Sequence, residues 1–175
     1  MLQAIIFTTG GAILALELLA SRIMTPYFGV SLFIWSGILS ITLVSLALGY
    51  WWGGRLAAGR NGNPLPAEKL ASLFTLMPAV AAIAIVIACL VYPYLFQALA
   101  RFDLVAGAFI ACMALLFVPM VATSAMNPLL VALLLKQSAA RGAAADGGAG
   151  RVFFVSTIGS VAGVVVTAFG MIPYL

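Results

Sequence analysis

The 175-residue chain has no histidine, and only 7% of its residues are charged, where an ordinary soluble domain carries about a quarter. With so little charge to solvate a surface, a 65% hydrophobic composition and a mean hydropathy of +1.24 exclude a soluble fold, because no domain of this size buries that much apolar surface. Short segments of alternating hydrophobicity are also missing, which argues against a transmembrane β-barrel. Two cysteines, Cys89 and Cys112, lie in separate apolar runs without metal-ligand spacing. Without histidine they leave no haem, zinc or thiol-redox set, so no metal and no cofactor is expected, and both cysteines read as buried, inert small hydrophobes. Eight basic residues against four acidic ones give a net charge of +4, but they are scattered along the chain. That pattern argues against nucleic acid as a partner and makes the charges a record of topology. No Lys or Arg precedes the first apolar run, and Glu17 interrupts it before any small-residue cleavage site, so a retained first span is expected in place of a signal peptide.

What is present is a series of apolar runs, 2–19, 33–53, 70–94, 104–121 and 152–174, each approaching the ~20 residues that cross a bilayer. They predict an all-α, polytopic integral membrane helix bundle, one transmembrane domain over 1–175, with the lipid bilayer as its main partner. A further run, 124–135, is only a dozen residues long and is expected as a short, broken, partly inserted segment, six full spans being the alternative. With five spans and a cytoplasmic N-terminus, Arg55, Arg60, Lys69, Lys136, Arg141 and Arg151 fall inside and only Arg22 and Arg101 outside. Aromatics follow the same division, with Tyr27, Trp35, Tyr92, Tyr94 and Tyr174 at the outer boundary and Tyr50, Trp51, Trp52, Phe153 and Phe154 at the inner one. The stretches 59–66 (GRNGNPLP) and 139–150 (AARGAAADGGAG) read as flexible cytoplasmic linkers, within loops of about 55–69 and 136–151. The expected location is a bacterial-type inner (plasma) membrane.

Glu17 is the one carboxylate inside an expected span, where an ionised side chain costs about 2.5–3.5 kcal/mol and calls for a partner or an aqueous cavity. It shares a helical face with Gly10, Leu14 and Ser21, whereas Arg22, five residues on, is turned about 140° away. Glu17 is thus a candidate cation or proton site; a structural hydrogen bond or interhelix ion pair near the outer end of the span is the competing reading. Small residues at helical spacing, Gly37, Ser45, Gly49 and Gly53 in one span and Ser156, Ser160, Gly163 and Thr167 in the last, with Gly159 and Gly163 as a GxxxG, predict close helix packing within one chain or across a homo-oligomer. Pro119 and Asn127-Pro128, with Thr123 and Ser124 between them, are expected to break a helix, as a substrate-site lining or as a simple kink. Tyr50, Trp51 and Trp52 offer cation–π surfaces or an interfacial belt.

The stretch ELLASRIMTPYFGVSLFIWSGILSITLVSLALGYWWGGRLA over 17–57, with its Glu-x4-Arg, PYFG, Trp and ALGYxxGGRLA elements, resembles the opening of the membrane region of spermidine-synthase-like proteins, in which a major-facilitator-type region is fused to a synthase. GRVFFVSTIGSVAGVVVTAFGMIP over 150–173 resembles a later span of that region, and NPLL from Asn127 its preceding proline-containing segment. Glu17, Arg22, Pro26, Tyr27, Trp35, Tyr50, Gly53 and Arg55 are the matching positions; Ala58 stands where the major-facilitator loop pattern has Asp. The resemblance implies a transporter-like membrane half, usually followed by an aminopropyltransferase-like domain of Rossmann type. These 175 residues hold neither its glycine-rich nucleotide loop nor its acidic polyamine site, so aminopropyl transfer is not carried over and no enzyme is expected. The expectation is a carrier of small organic cations, polyamines included, with Glu17, Ser21, Arg22, Trp35, Tyr50 and Asn127 as substrate or proton site. It would act as a homo-oligomer or with a partner such as a separate synthase-like protein. The rival is a non-transporting subunit that anchors a membrane complex.

Overall fold

Hydrocarbon offers backbone groups no water, so an apolar chain crossing it pairs its N–H and C=O groups within helices. The computed structural model describes residues 2–30, 32–59, 65–140 and 147–174 and consists of five long helices: α1 (Leu2–Phe28), α2 (Leu32–Ala58), α3 (Ala67–Phe102), α4 (Leu104–Ala140) and α5 (Gly147–Val165). A π-helical turn, Val166–Met171, and a short 3-10 turn, Ile172–Tyr174, continue α5. With that continuation, all five are long and apolar enough to span a membrane, and no strand occurs among the described residues. The protein is an all-α, multi-pass helix bundle.

The helix ends follow local chemistry. Gly29 and Gly59 each take φ of 75°, a conformation that side chains disfavour, and their N–H groups bond back to Thr25 at 2.9 Å and Leu56 at 3.2 Å, closing α1 and α2. Asp103 alone separates α3 from α4. Its backbone is extended, and its Oδ1 accepts from the N–H groups of Val105 at 2.9 Å and Ala106 at 2.7 Å, capping α4 as α3 ends.

Two parallel helix pairs form the bundle. Along α1 and α5, Gly10 meets Ser156, Gly11 meets Gly159 and Gly163, and the Phe7 carbonyl lies against Gly159. Along α2 and α4, Gly37 meets Cys112, Gly49 meets Ser124, and Gly53 meets Ala125 and Pro128. In both pairs the numbering rises together, and backbones approach so closely that a Cβ on Gly53 would stand 2.5 Å from the Ala125 carbonyl oxygen. The small-residue faces therefore meet within one chain. Helix α4 lies at the centre, and α3 packs antiparallel on it while turning Leu76, Ile83, Ile87 and Leu90 outward.

The helices overrun the apolar stretches of the sequence. Residues 124–135 are not a separate broken segment but the continuation of α4, which holds Pro119 and Pro128 inside 37 unbroken residues. Breaking a helix inside protein and lipid strands several backbone groups, whereas an internal proline costs one rung, and the Thr123 hydroxyl donates to the Pro119 carbonyl at 2.8 Å. The loops are shorter than expected for the same reason. Arg55, Lys69, Lys136 and Arg151 all lie within helices; Gly59, Leu65 and Pro66 are what is described of the first linker; and residues 147–150 begin α5. Positions 60–64 and 141–146, including Arg60 and Arg141, lie outside the described residues.

Basic residues separate by end. The Lys136 ammonium donates to the Leu65 carbonyl, and Arg151 donates to Gln3 Oε1 at 3.3 Å, so the starts of α1, α3 and α5 and the end of α4 share one end of the bundle, with Arg55 and Lys69. Arg22 and Arg101 lie toward the other.

Replacing Gly159 by Ala sets a methyl group against the Phe7 carbonyl and is expected to cost roughly 1–3 kcal/mol. Gly54→Ala, where nothing lies within 4 Å, should be neutral or slightly stabilising. Thermal unfolding of the two variants in one detergent checks this: equal midpoints would remove the α1–α5 contact as a determinant of stability.

Candidate functional site

The apolar core divides into two clusters. One gathers Met24, Phe28, Ile34, Ile38, Phe96, Leu116 and Met120; the other gathers Ile6, Leu70, Phe74, Met126, Leu129 and Leu133, toward the opposite end. Between them, in the middle stretches of α2 and α4, fall the buried polar side chains Thr42, Ser45, Thr123, Ser124 and Asn127. The pairings that fix the helix register also fix this layer: Gly49 admits Ser124, whose hydroxyl donates to the Ser45 carbonyl at 3.4 Å.

Glu17 belongs to the same depth. Because α1 extends well past residue 19, to Phe28, with Pro26 inside it, Glu17 lies near the helix midpoint and not near the outer end. It is half-buried and faces the Thr42 hydroxyl on α2. Although the two groups are close enough to interact, Thr42 Oγ1 completes no hydrogen bond of normal geometry. Among the described residues no basic side chain pairs with Glu17; Arg22 is exposed and directed elsewhere.

One turn from this contact is a cleft of about 160 Å³ where four helices converge. Leu14 comes from α1, Leu46 and Tyr50 from α2, Asn127 from α4, and Phe153, Ser156, Thr157 and Ser160 from α5. Tyr50 meets Phe153 edge-on at 6.3 Å, and Ser160 donates to the Gly10 carbonyl at 2.9 Å, fixing α5 to α1 at the wall. On the other side of Glu17 a second cleft, about 190 Å³, is lined by Ser21, Arg22, Thr25, Ile34 and Trp35 near the α1–α2 turn.

The six site residues read from the sequence thus fall in three groups: Tyr50 with Asn127, Glu17 alone, and Ser21 and Arg22 with Trp35. The face of α1 that carries Leu14, Glu17 and Ser21 runs from one cleft to the other with Glu17 between them. Two contributors were missed, Thr42 and Thr157. Thr42 stands three residues before Ser45 in the small-residue stripe of α2, a spacing that puts both on one helix face and was the available signal.

A larger groove of about 350 Å³ between α3 and α4 is lined by Ala84, Ile87, Ala88, Phe96, Val118 and Pro119, with Tyr92 the only side chain carrying a polar atom. Its apolar walls suit bilayer hydrocarbon, not solutes. Cys112 is buried, its Sγ 3.4 Å from Met24 Sδ, but Cys89 is exposed on α3, contrary to expectation, because α3 turns most of its surface away from the bundle. No group of three His, Cys, Asp or Glu side chains able to hold a metal occurs among the described residues.

Comparison of the chain with protein-family models, with curated proteins and with solved structures gives no match in any of the three.

If the four-helix cleft holds water, a Thr157→Cys thiol can ionise and react there, while one at Ile158, which points outward, cannot. With Cys89 and Cys112 replaced by Ser and Ala, Thr157→Cys should react with a charged methanethiosulfonate at least about tenfold faster than Ile158→Cys. Equal, slow rates would make the cleft part of the lipid-facing surface.

Proposed function

We propose that this protein is a transporter-like membrane protein that passes small organic cations, polyamines among them, along the Leu14–Glu17–Ser21 face of α1. The observation that carries this reading is the position of Glu17: mid-membrane, half-buried, between two clefts and without a basic partner among the described residues. A structural ion pair would have neutralised the carboxylate, whereas an unpaired one attracts a cation or a proton in a low-dielectric setting. Asn127, Ser156 and Thr157 supply oxygens to an ammonium group in the four-helix cleft, and the Tyr50 ring adds a cation–π surface. Glu17 and Tyr50 are among the positions that match the spermidine-synthase-like resemblance, and Asn127 opens its NPLL segment.

The anchoring alternative depends on small-residue faces free to bind another subunit. Gly49, Gly53, Gly159 and Gly163 are instead consumed in contacts within the chain, which favours the carrier reading. In this proposal the carrier works as a homo-oligomer or with a partner, such as a separate synthase-like protein, in a bacterial-type inner membrane. The end bearing Arg55, Lys69, Lys136 and Arg151 is cytoplasmic by the positive-inside rule, and with it the N-terminus.

Proteoliposomes holding the purified chain are expected to take up labelled spermidine or putrescine saturably under an imposed proton gradient, with Glu17→Gln lowering the initial rate at least about tenfold without loss of folded protein. Absence of uptake by folded wild-type protein would overturn the proposal. For topology, alkaline phosphatase fused after Leu175 should be active on the outer side and fused within 59–66 inactive; the reverse would invert the orientation.

A further inference from the structure

Arg22 lies at the end of the bundle opposite Arg55, Lys69, Lys136 and Arg151. It stands twenty residues beyond Leu2 in α1, a rise of about 30 Å, which is the thickness of the hydrocarbon layer. Its guanidinium is therefore at the level of lipid headgroups. Arg22 makes no ion pair among the described residues, and the cleft of about 190 Å³ that it lines at the α1–α2 turn contains no acidic side chain. Arg101 and Asp103 share this end of the bundle but line no part of the cleft. An arginine that only snorkels to the boundary needs no cleft around it, and here the other walls carry matching chemistry. Ser21 Oγ donates to the Leu18 carbonyl at 2.8 Å and Thr25 Oγ1 to the Ser21 carbonyl at 2.7 Å, so both hydroxyl protons are spent within α1 and both oxygens keep acceptor capacity. Trp35 adds an indole that has no hydrogen bond among the described residues, an N–H donor. Val30 and Ile34 supply the apolar part of the lining.

We propose that this cleft binds the headgroup of a phospholipid that joins a phosphodiester to free hydroxyls, as phosphatidylglycerol does. Arg22 holds the phosphate, Trp35 donates to a second oxygen of it, and the headgroup hydroxyls donate to Ser21 and Thr25. Charge agrees with the assignment. A phosphodiester carries one negative charge and the lining one positive charge, and the planar guanidinium suits paired phosphate oxygens. A choline headgroup would instead bring a second cation toward Arg22 and no donor for the two hydroxyl oxygens. Depth makes a lipid the source of the phosphate, since the cleft opens at the bilayer boundary and part of its wall is apolar. In the carrier, a role that rests on the reading above, the bound phosphodiester cancels the Arg22 charge at the mouth of the Leu14–Glu17–Ser21 path and lets cations approach.

Native mass spectrometry of the purified chain in detergent, offered equimolar phosphatidylglycerol and phosphatidylcholine of like acyl chains, tests the site. Wild-type protein should retain one phosphatidylglycerol in preference to phosphatidylcholine by at least about fivefold, the worth of one or two net hydrogen bonds. Arg22→Gln should remove the preference, and Thr25→Val should lower it at least about twofold. Thr25→Ser, which keeps the oxygen, should retain it even if the valine variant does not fold, and Arg101→Gln, at the same end but outside the cleft, should leave it unchanged. Equal retention of the two lipids by wild-type protein overturns the headgroup assignment. An equal loss in Arg101→Gln overturns the cleft in favour of general attraction to a basic end, and displacement of the lipid by sodium phosphate at constant ionic strength overturns the lipid as source and assigns the cleft to a free oxyanion. A retained preference without organic-cation uptake would sink the carrier reading and leave the site intact; uptake undiminished in Arg22→Gln would overturn only the role at the mouth of the path.

Discussion

The bundle depends on backbone-to-backbone contact between parallel helices, α1 with α5 and α2 with α4, made possible where glycine carries no side chain. In hydrocarbon, apolar side chains gain little by leaving lipid for protein, so association relies on close van der Waals packing and a few interhelix hydrogen bonds. Ser160 to the Gly10 carbonyl and Ser124 to the Ser45 carbonyl are such bonds, and both lie beside a glycine that lets the donor in. Once these two pairs are set, α4 is central, α3 is left outside, and the polar residues of α2 and α4 come to one depth.

That shared depth gathers hydroxyls and one amide, scattered in sequence, into one buried polar layer. Two apolar clusters cover the layer from either end, so charge within it is poorly screened. A carboxylate here is costly unless something compensates it, and the protein supplies neither lysine nor arginine to Glu17 among the described residues. Instead, two clefts open along α1 on either side of it. A bundle built only for packing would be more stable with leucine at this position, so the carboxylate is retained against the preference of the fold.

Span number, helix class and the segregation of basic residues were legible in the sequence, because each follows from composition over long windows. Glu17 was legible for the same reason: a lone acid in an apolar run is visible without a structure. What escaped notice depends on partners distant in sequence. Whether α4 breaks at Pro119 and Asn127-Pro128 is decided by its neighbours, since a helix enclosed by protein and lipid tolerates a missing rung that a solvated one would not. Thr42 became important only when α1 placed Glu17 opposite it, and Cys89 was misjudged because nothing in its run shows that α3 lies at the edge.

The two prolines also bear on how the site could move. Pro119 has no N–H for the Leu115 carbonyl, and Pro128 has none for that of Ser124, so the hydrogen-bond ladder of α4 has gaps on both sides of Thr123 and within reach of Asn127. Ordinary helices bend where rungs are missing, and α4 packs against all four other helices. A bend at these positions would shift Asn127 relative to Tyr50 and Ser156 while Gly49 and Gly53 still hold the adjoining stretch of α4 to α2. α3 has two internal prolines as well, Pro78 and Pro93, but it is in α4 that the missing rungs border the buried polar layer.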